Sequence, residues 1–309
     1  MMIDTKLTRR GALALGGAAI ASPALAQVPM MGTTRQMYRR VKIGDFEVTT
    51  LLDAVRAVPD PHNIFGTDQD PADVAALLEA NNLPTGQAEF TFSPTLVNTG
   101  SELILFDTGN GPQEGGTSGL VTQMEAAGYS ADQVDTVVLT HMHPDHIGGM
   151  TDAAGAATFS NAAYVTGATE YNMWSQAGND LFNAKVAPFA EQMRMIEPGD
   201  SVASGVEAVA AFGHTPGHMA YHIESAGQRL MLIADAANHF VLSMERPDWE
   251  VRFDQDKAAA AQTRKDLLGM IAADGIPFVG YHMPFPAIGY LEAAGDGFEY
   301  TPETYQLAF

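Results

Sequence analysis

The sequence has no cysteine. That excludes a disulfide and a lipid-attachment thiol, and any zinc would have to be held by histidine and carboxylate. Basic residues are also scarce, with 16 Lys and Arg against 37 Asp and Glu and a formal net charge of −21. Such a surface repels polyanions, which argues against a nucleic-acid substrate and against RNA processing. Long apolar runs are missing too: residues 12–20 form a short, glycine-rich stretch that cannot span a bilayer. What remains is ordinary for a folded domain. The 309 residues are 46% hydrophobic, enough for a sizeable core, and residues 41–309 show neither an internal repeat nor a break in composition.

The N-terminus reads as an export leader. Thr8-Arg9-Arg10-Gly11-Ala12-Leu13 resembles a twin-arginine signal, and Ala24-Leu25-Ala26 follows the short apolar run as an Ala-x-Ala cleavage site. Residues 1–26 are therefore expected to be a signal peptide and residues 27–309 one domain, placed in the periplasm or secreted, with no stable membrane anchor. Removing the leader takes away Lys6, Arg9, Arg10 and Asp4 and lowers the net charge by two, to −23.

Beyond it, strands and helices alternate. Strands are expected over 41–52, 90–98, 103–106, 136–139, 205–212, 219–224 and 229–234, with a last buried strand at 277–281. Helices are expected over 72–80, 119–127, 168–177, 180–195 and 255–272. Residues 53–88, rich in Pro and Asn, are expected to form a loop or lid around one helix. The alternation indicates an α/β layered fold.

The chemistry concentrates in His141-Met142-His143-Pro144-Asp145-His146. In extended chain, residues two apart point the same way, so His141 and His143 can grip one ion. Pro144 disfavours helical backbone at His143, and the chain then turns, carrying Asp145 and His146 toward a second position. Gly148-Gly149 lets the backbone pass closely. His214, Asp235 and His282 each follow an apolar strand, so strand ends along one sheet edge could bring all four segments together.

His-x-His-x-Asp-His, followed by Gly213-His214-Thr215-Pro216-Gly217-His218, a strand-terminal Asp235 and a later His282, resembles the metallo-β-lactamase superfamily. Leu96-Val97-Asn98-Thr99-Gly100, Phe106-Asp107-Thr108-Gly109, Ala127-Gly128-Tyr129 and His282-Met283-Pro284-Phe285-Pro286 are similar to its methyl parathion hydrolase and lactonase-like branch. The stretch from Asp254 to Arg264 is similar to that branch as well. The resemblance implies a four-layer αββα sandwich. It also implies that His141, His143 and His214 bind one metal, that Asp145, His146 and His282 bind another, and that Asp235 bridges them. Asp107 and His218 would stand behind these ligands and orient them.

The all-nitrogen-and-oxygen donor set suits two divalent ions, Zn²⁺ first, with Mn²⁺, Fe²⁺ or Co²⁺ as substitutes. Ions about 3.5–4 Å apart would hold a bridging hydroxide as nucleophile, with Asp145 able to pass a proton to the leaving group. Trp174, Phe182 and His239 are expected near the substrate, whereas His62 and His222 carry no motif support. Asn238 stands three residues after Asp235, where lactonases of this fold often carry tyrosine. An aromatic, weakly charged pocket favours small molecules: lactones, aryl esters or neutral phosphotriesters. Two other readings share the fold, a β-lactamase and a non-catalytic metal-binding protein. β-Lactams would call for a positioned cation or hydroxyl that the sequence does not single out. A homodimer is compatible with the sequence.

Overall fold

The computed structural model describes residues 30–113 and 118–304. The expected leader lies outside them. The chain divides into Met1–Arg35, whose described residues 30–35 have no regular secondary structure, and Gln36–Phe309, which carries the fold. Among the described residues no helix is long and apolar enough to cross a membrane.

The first element departs from the sequence expectation. Instead of one strand over 41–52, β1 (Tyr38–Ile43) and β2 (Phe46–Leu51) form a hairpin in which Ile43 pairs with Phe46. Gly44, at φ 59°, supplies the left-handed backbone that this two-residue turn requires. The expected loop over 53–88 likewise contains β3 (Ala54–Pro59), as well as α1 (Pro71–Ala80). Pro71 opens that helix, and the Asp70 carboxylate accepts the Ala72 amide proton as its cap. The expected strand at 90–98 is also two. β4 (Gln87–Phe92) pairs with β3 as a separate ribbon, and β5 (Thr95–Asn98) joins β2. Pro94, which has no amide proton for a ladder, lies between them.

The first large sheet runs in the order β1, β2, β5, then β6 (Leu103–Phe106), β7 (Thr136–Leu139), β8 (Ala163–Gly167) and β9 (Met193–Ile196), the last four parallel. Its outer face carries α2 (Gly119–Ala126), the short α3 (Pro144–Ile147), α4 (Ala168–Gln176) and α5 (Asp180–Lys185). The expected helix over 180–195 ends at Lys185. Pro188 falls in the 3-10 turn Ala187–Gln192 that follows, and Met193 already starts β9.

The second sheet runs in chain order through β10 (Ser201–Ala203), β11 (Val206–Ala210), β12 (Met219–Ser225), β13 (Gln228–Ala234), β14 (Phe278–Gly280), β15 (Ile288–Ala294) and β16 (Gly297–Pro302). β14 is therefore not the last strand, as the sequence led us to expect. A hairpin turning at Gly295, φ 59°, follows it. α6 (Lys257–Asp274) covers this sheet's outer face.

Alternation along each strand builds the layers. On β6, Ile104 and Phe106 face the second sheet, where they meet residues such as Tyr221 and Leu232, whereas Leu103 and Leu105 face the helices. Both faces of β6 are covered, which is why this strand reads as an unbroken apolar run. The result is helix, sheet, sheet, helix. A further apolar cluster joins α1 and the β3–β4 ribbon to Val241, Leu242 and Tyr281 beside the C-terminal ends of β7, β13 and β14.

Candidate metal centre

His141 follows the end of β7, and its imidazole is completely buried. His143 keeps extended backbone (φ −69°, ψ 157°) as the cap of α3, with Pro144 in the first helical position, so the chain turns where the sequence requires. Asp145 and His146 then lie in that single helical turn. His214 sits in the loop after β11, Asp235 directly after β13, and His282 just beyond β14. All seven side chains come together, not along one sheet edge as the sequence led us to expect, but where the C-terminal end of β7 in the first sheet meets those of β11, β13 and β14 in the second.

They form two groups, each able to present one donor atom per residue within 4.8 Å: His141, His143, His214 and Asp235, then Asp145, His146 and His282. Asp235 touches both. Its Oδ2 lies 3.3 Å from His214 Nε2 and 3.3 Å from His282 Nε2, and its Oδ1 lies 3.4 Å from His146 Nε2. Asp145 Oδ2 is 3.5 Å from His146 Nε2 and 3.4 Å from His282 Nε2.

Hydrogen bonds behind the rings fix which nitrogen faces inward. His146 Nδ1 lies 2.8 Å from Asp107 Oδ2, His214 Nδ1 2.8 Å from Asp254 Oδ1, and His282 Nδ1 2.9 Å from the Thr91 carbonyl oxygen. Each of these partners is an acceptor, so the proton belongs on Nδ1 and Nε2 turns a lone pair to the centre. Thr140 donates its hydroxyl to Asp107 and stands 3.2 Å from His141 Nδ1, which assigns the same tautomer there.

These residues fit a pair of cations. Nε2 of His141 and of His214 approach Nδ1 of His143 to 3.1 and 2.9 Å, so lone pairs converge where a positive charge belongs. His146 Nε2 and Asp235 Oδ1 are buried without any hydrogen-bond partner. Leaving such atoms unpaired is costly unless an ion takes them up. Burial lowers the His143 pKa to about 3 and drives His141 down as well, keeping both neutral as ligands must be. Burial also opposes charge on His146 and on His282. There the surrounding carboxylates, led by Asp107 and Asp235 respectively, outweigh it and raise both imidazoles, His282 to about 10. Those protons are what cations would displace.

Several buried groups hold this centre in place. Asp107 adopts a left-handed backbone (φ 62°) and accepts from Thr140 N and Oγ1 at 2.8 Å each, in addition to His146. His218 does not join the donor groups. Its Nδ1 bonds the Ala211 carbonyl at 3.0 Å, and its Nε2 accepts the backbone N–H of Asp235 at 3.0 Å, fixing that residue from behind. Asp254 takes both terminal nitrogens of Arg264, each at 3.2 Å, while holding His214. Arg264 is wholly buried.

Glu170, also wholly buried, accepts from Met142 N (3.0 Å), Trp174 Nε1 (2.7 Å), Thr215 Oγ1 (2.7 Å) and Gly217 N (3.0 Å). It thereby ties the His141–His143 segment to the loop of His214. Burial raises its pKa. Sequence reading marked the Asp254–Arg264 stretch only by resemblance and gave neither Glu170 nor Asp254 a role, because a charged residue in an amphipathic stretch looks like a solvated one until the fold closes over it.

Above the centre lies a cavity of about 440 Å³. Its floor includes His143, Asp145, His214, Asp235 and His282, and its walls are largely Val58, Ile64, Phe90, Phe92 and Phe253. Asn238 and Arg56 also line it. The aromatic residues expected from sequence stand elsewhere. Trp174 packs its ring edge-on to His143 at 6.0 Å, and Phe182 is buried against Tyr171. His239 accepts the amide protons of Val241 and Leu242 on Nδ1 at 3.1 Å each, closing a turn. None of the three is among the residues lining this cavity. His62 lies 3.1 Å from the Gln69 carbonyl, and His222 lies in mid-β12, both away from the centre.

Residues 93–272 match the metallo-β-lactamase superfamily model. The chain belongs to that superfamily. Within it, the chain is 31% identical over 173 residues to a probable metallo-hydrolase of Mycobacterium bovis, covering 47% of this chain and 56% of the relative. It is 26% identical over 145 residues to an N-acyl homoserine lactonase of Bacillus cereus, covering 47% and 55%. The chain thus spans about half the length of the curated relatives it matches. Likeness to solved structures is broader. AidC, a dizinc quorum-quenching lactonase in complex with a product, superposes with a TM-score of 0.80 at 26% identity, over 87% of this chain and 98% of AidC. AbOPH, a hydrolase in the β-lactamase superfamily, gives 0.80 at 27% identity over 88% and 99%.

Proposed function

We propose that this superfamily member is a binuclear metal-dependent hydrolase acting on lactones, aryl esters or neutral phosphotriesters. The observation that carries the reading is the pair of donor groups sharing Asp235 at the floor of an apolar cavity. In this reading His141, His143 and His214 hold one ion, Asp145, His146 and His282 the other, and Asp235 serves both. Zinc is the first choice for such nitrogen and oxygen donors, and the dizinc AidC supports it. Bound there, the ions would activate water and polarise the attacked carbonyl or phosphoryl oxygen.

The chain's own groups do the rest. Phe90, Phe92, Ile64 and Phe253 take the apolar part of the substrate and exclude bulk water, which strengthens every electrostatic contact at the floor. Asp145 lines the cavity with its carboxylate partly exposed. Burial opposes its charge, but His146 and His282 keep it an anion, so in this reading it takes the proton given up by the attacking water and passes it to the departing oxygen. Tyr281 fixes Asp145 from behind, donating its hydroxyl to the Asp145 carbonyl oxygen at 2.6 Å. Export of this enzyme by way of Arg9-Arg10 and cleavage after Ala26 belongs to the same proposal and rests on the order of those sequence features.

A hydrolysis panel tests it: an acyl-homoserine lactone, an aryl ester, a paraoxon-type triester and a chromogenic cephalosporin, each before and after chelation. Turnover of a lactone, aryl ester or triester that chelator abolishes and zinc or manganese restores is the expected result. Dominant cephalosporin hydrolysis would move the substrate assignment to β-lactams, and bound metal without turnover of any substrate would leave a metal-binding protein.

A further inference from the structure

One residue of the cavity wall has no counterpart among the motifs. Arg56, on β3, is the cationic side chain in a lining otherwise made of apolar groups, amides, histidines and carboxylates. Two contacts hold it. Its guanidinium carbon stands 5.0 Å from the ring centroid of Phe92, within cation–π range. Its Nη2 donates to Asn110 Oδ1 at 2.7 Å. Asn110 is itself held by Asp53, whose Oδ2 accepts both the Asn110 amide proton (2.8 Å) and its side-chain Nδ2 (2.9 Å). Asp53 is buried, and its other oxygen takes the Leu120 amide at the start of α2. The arrangement is built rather than incidental: Gly109 lies so close that a Cβ there would meet Asp53 Oδ2 at 2.7 Å.

Phe92 also meets the candidate centre, its ring 5.1 Å from that of His282. A single aromatic ring therefore separates the guanidinium from a donor group, and the two steps of about 5 Å bound their separation at about 10 Å. The bond from Arg56 goes to a neutral amide, so its charge is presented to the cavity and not neutralised by that partner. In a chain of net charge −21, such a cation on the cavity wall offers an anionic group a partner apart from the floor, whose carboxylates belong to the metal donor groups.

Resting on the hydrolase reading above, we propose that Arg56 determines specificity for substrates that carry a carboxylate a short alkyl chain away from the scissile carbonyl. The carbonyl lies toward the histidines and carboxylates of the floor, the chain passes along Phe92, and the carboxylate meets Arg56. Arg56 is solvent-exposed, so water and salt screen the pairing and the expected preference is about two- to fivefold.

The test compares mono-(4-nitrophenyl) glutarate with 4-nitrophenyl valerate, which has the same chain without the carboxylate, in wild type, Arg56→Ala and Arg56→Lys. The expected ratio of kcat/KM, acid over neutral ester, is about two- to fivefold in wild type, indistinguishable from unity in Arg56→Ala, and intermediate in Arg56→Lys. Because the readout is a ratio within one protein, a general loss of fold or metal does not imitate it. A wild-type ratio near unity, or a ratio kept in Arg56→Ala, overturns the proposal. Calorimetric binding of the corresponding unreactive anilides, glutaric monoanilide against valeranilide, decides the point without turnover. If neither ester is hydrolysed but the acid anilide binds about two- to fivefold tighter and only with Arg56 present, the hydrolase reading fails and the Arg56 site stands. If the esters turn over and both ratios are flat, the Arg56 site fails alone.

Discussion

At the scale of single residues, the centre depends on side chains that orient other side chains. Asp254 is the clearest. Burial opposes its charge, but His214 and Arg264 together hold its carboxyl below the ordinary range, so it stays an anion facing His214 Nδ1. Asp254→Ala removes that acceptor and leaves Arg264 buried without its carboxylate. Zinc affinity, measured by competition with a chromophoric chelator, is expected to fall about 10- to 100-fold, as for loss of other partners standing behind a ligand. Unchanged affinity would show that His214 is positioned by packing alone. The cluster from His141 to His146 was legible because its members are neighbours in sequence and their spacing carries the geometry. The roles of Glu170, Asp254 and Arg56 were not, even though the Asp254–Arg264 stretch carried a resemblance, because their partners lie tens of residues away (Glu170 to Thr215, Asp254 to His214, Arg56 to Asn110) and local pattern says nothing of such pairings.

At the scale of elements, the two ligand-bearing loops after β7 and β11 are joined through α4 by Glu170. Four donors converge on its two oxygens. Glu170→Gln keeps the volume but turns an amide N–H₂ toward donors, leaving buried groups unpaired at about 1–3 kcal/mol each. The thermal midpoint is expected to fall by several degrees, at roughly 2–4 °C per kcal/mol for a domain somewhat smaller than this one. Zinc affinity should weaken in parallel. An unaltered midpoint in differential scanning calorimetry would contradict the clamp.

The same scale explains where element reading succeeded. Buried strands such as Thr136–Leu139 and Leu103–Phe106 stand out as apolar runs between turns. β3 was missed because its residues are half-buried or exposed and it ends in proline, the signature of an edge ribbon and not of a core strand. The hairpin β15–β16 follows a proline-rich turn and ends in mostly exposed residues, so periodicity hides it equally well.

At the scale of the molecule, the sheets bury phenols as well as aliphatic chains. Burial pushes the Tyr164 hydroxyl up to about 12, and Tyr221, Tyr281 and Tyr300 move in the same direction for the same first reason. An unfolded chain gives up these protons near pH 10, before the native one does. The stability they confer is therefore complete below about pH 10 and is lost as pH rises through about 12. Urea midpoints at about pH 9 and about pH 11 should show the lower value at the higher pH, with phenolate absorbance lagging in the folded protein. Equal midpoints would place those tyrosines in contact with solvent.

The pairing of two ions around Asp235 is best tested by titrating metal-free protein with zinc while following bound metal and aryl-ester hydrolysis together. Two equivalents bound, with hydrolysis appearing only as they bind, is the predicted result. Saturation at a single equivalent, or hydrolysis that persists without metal, would contradict it.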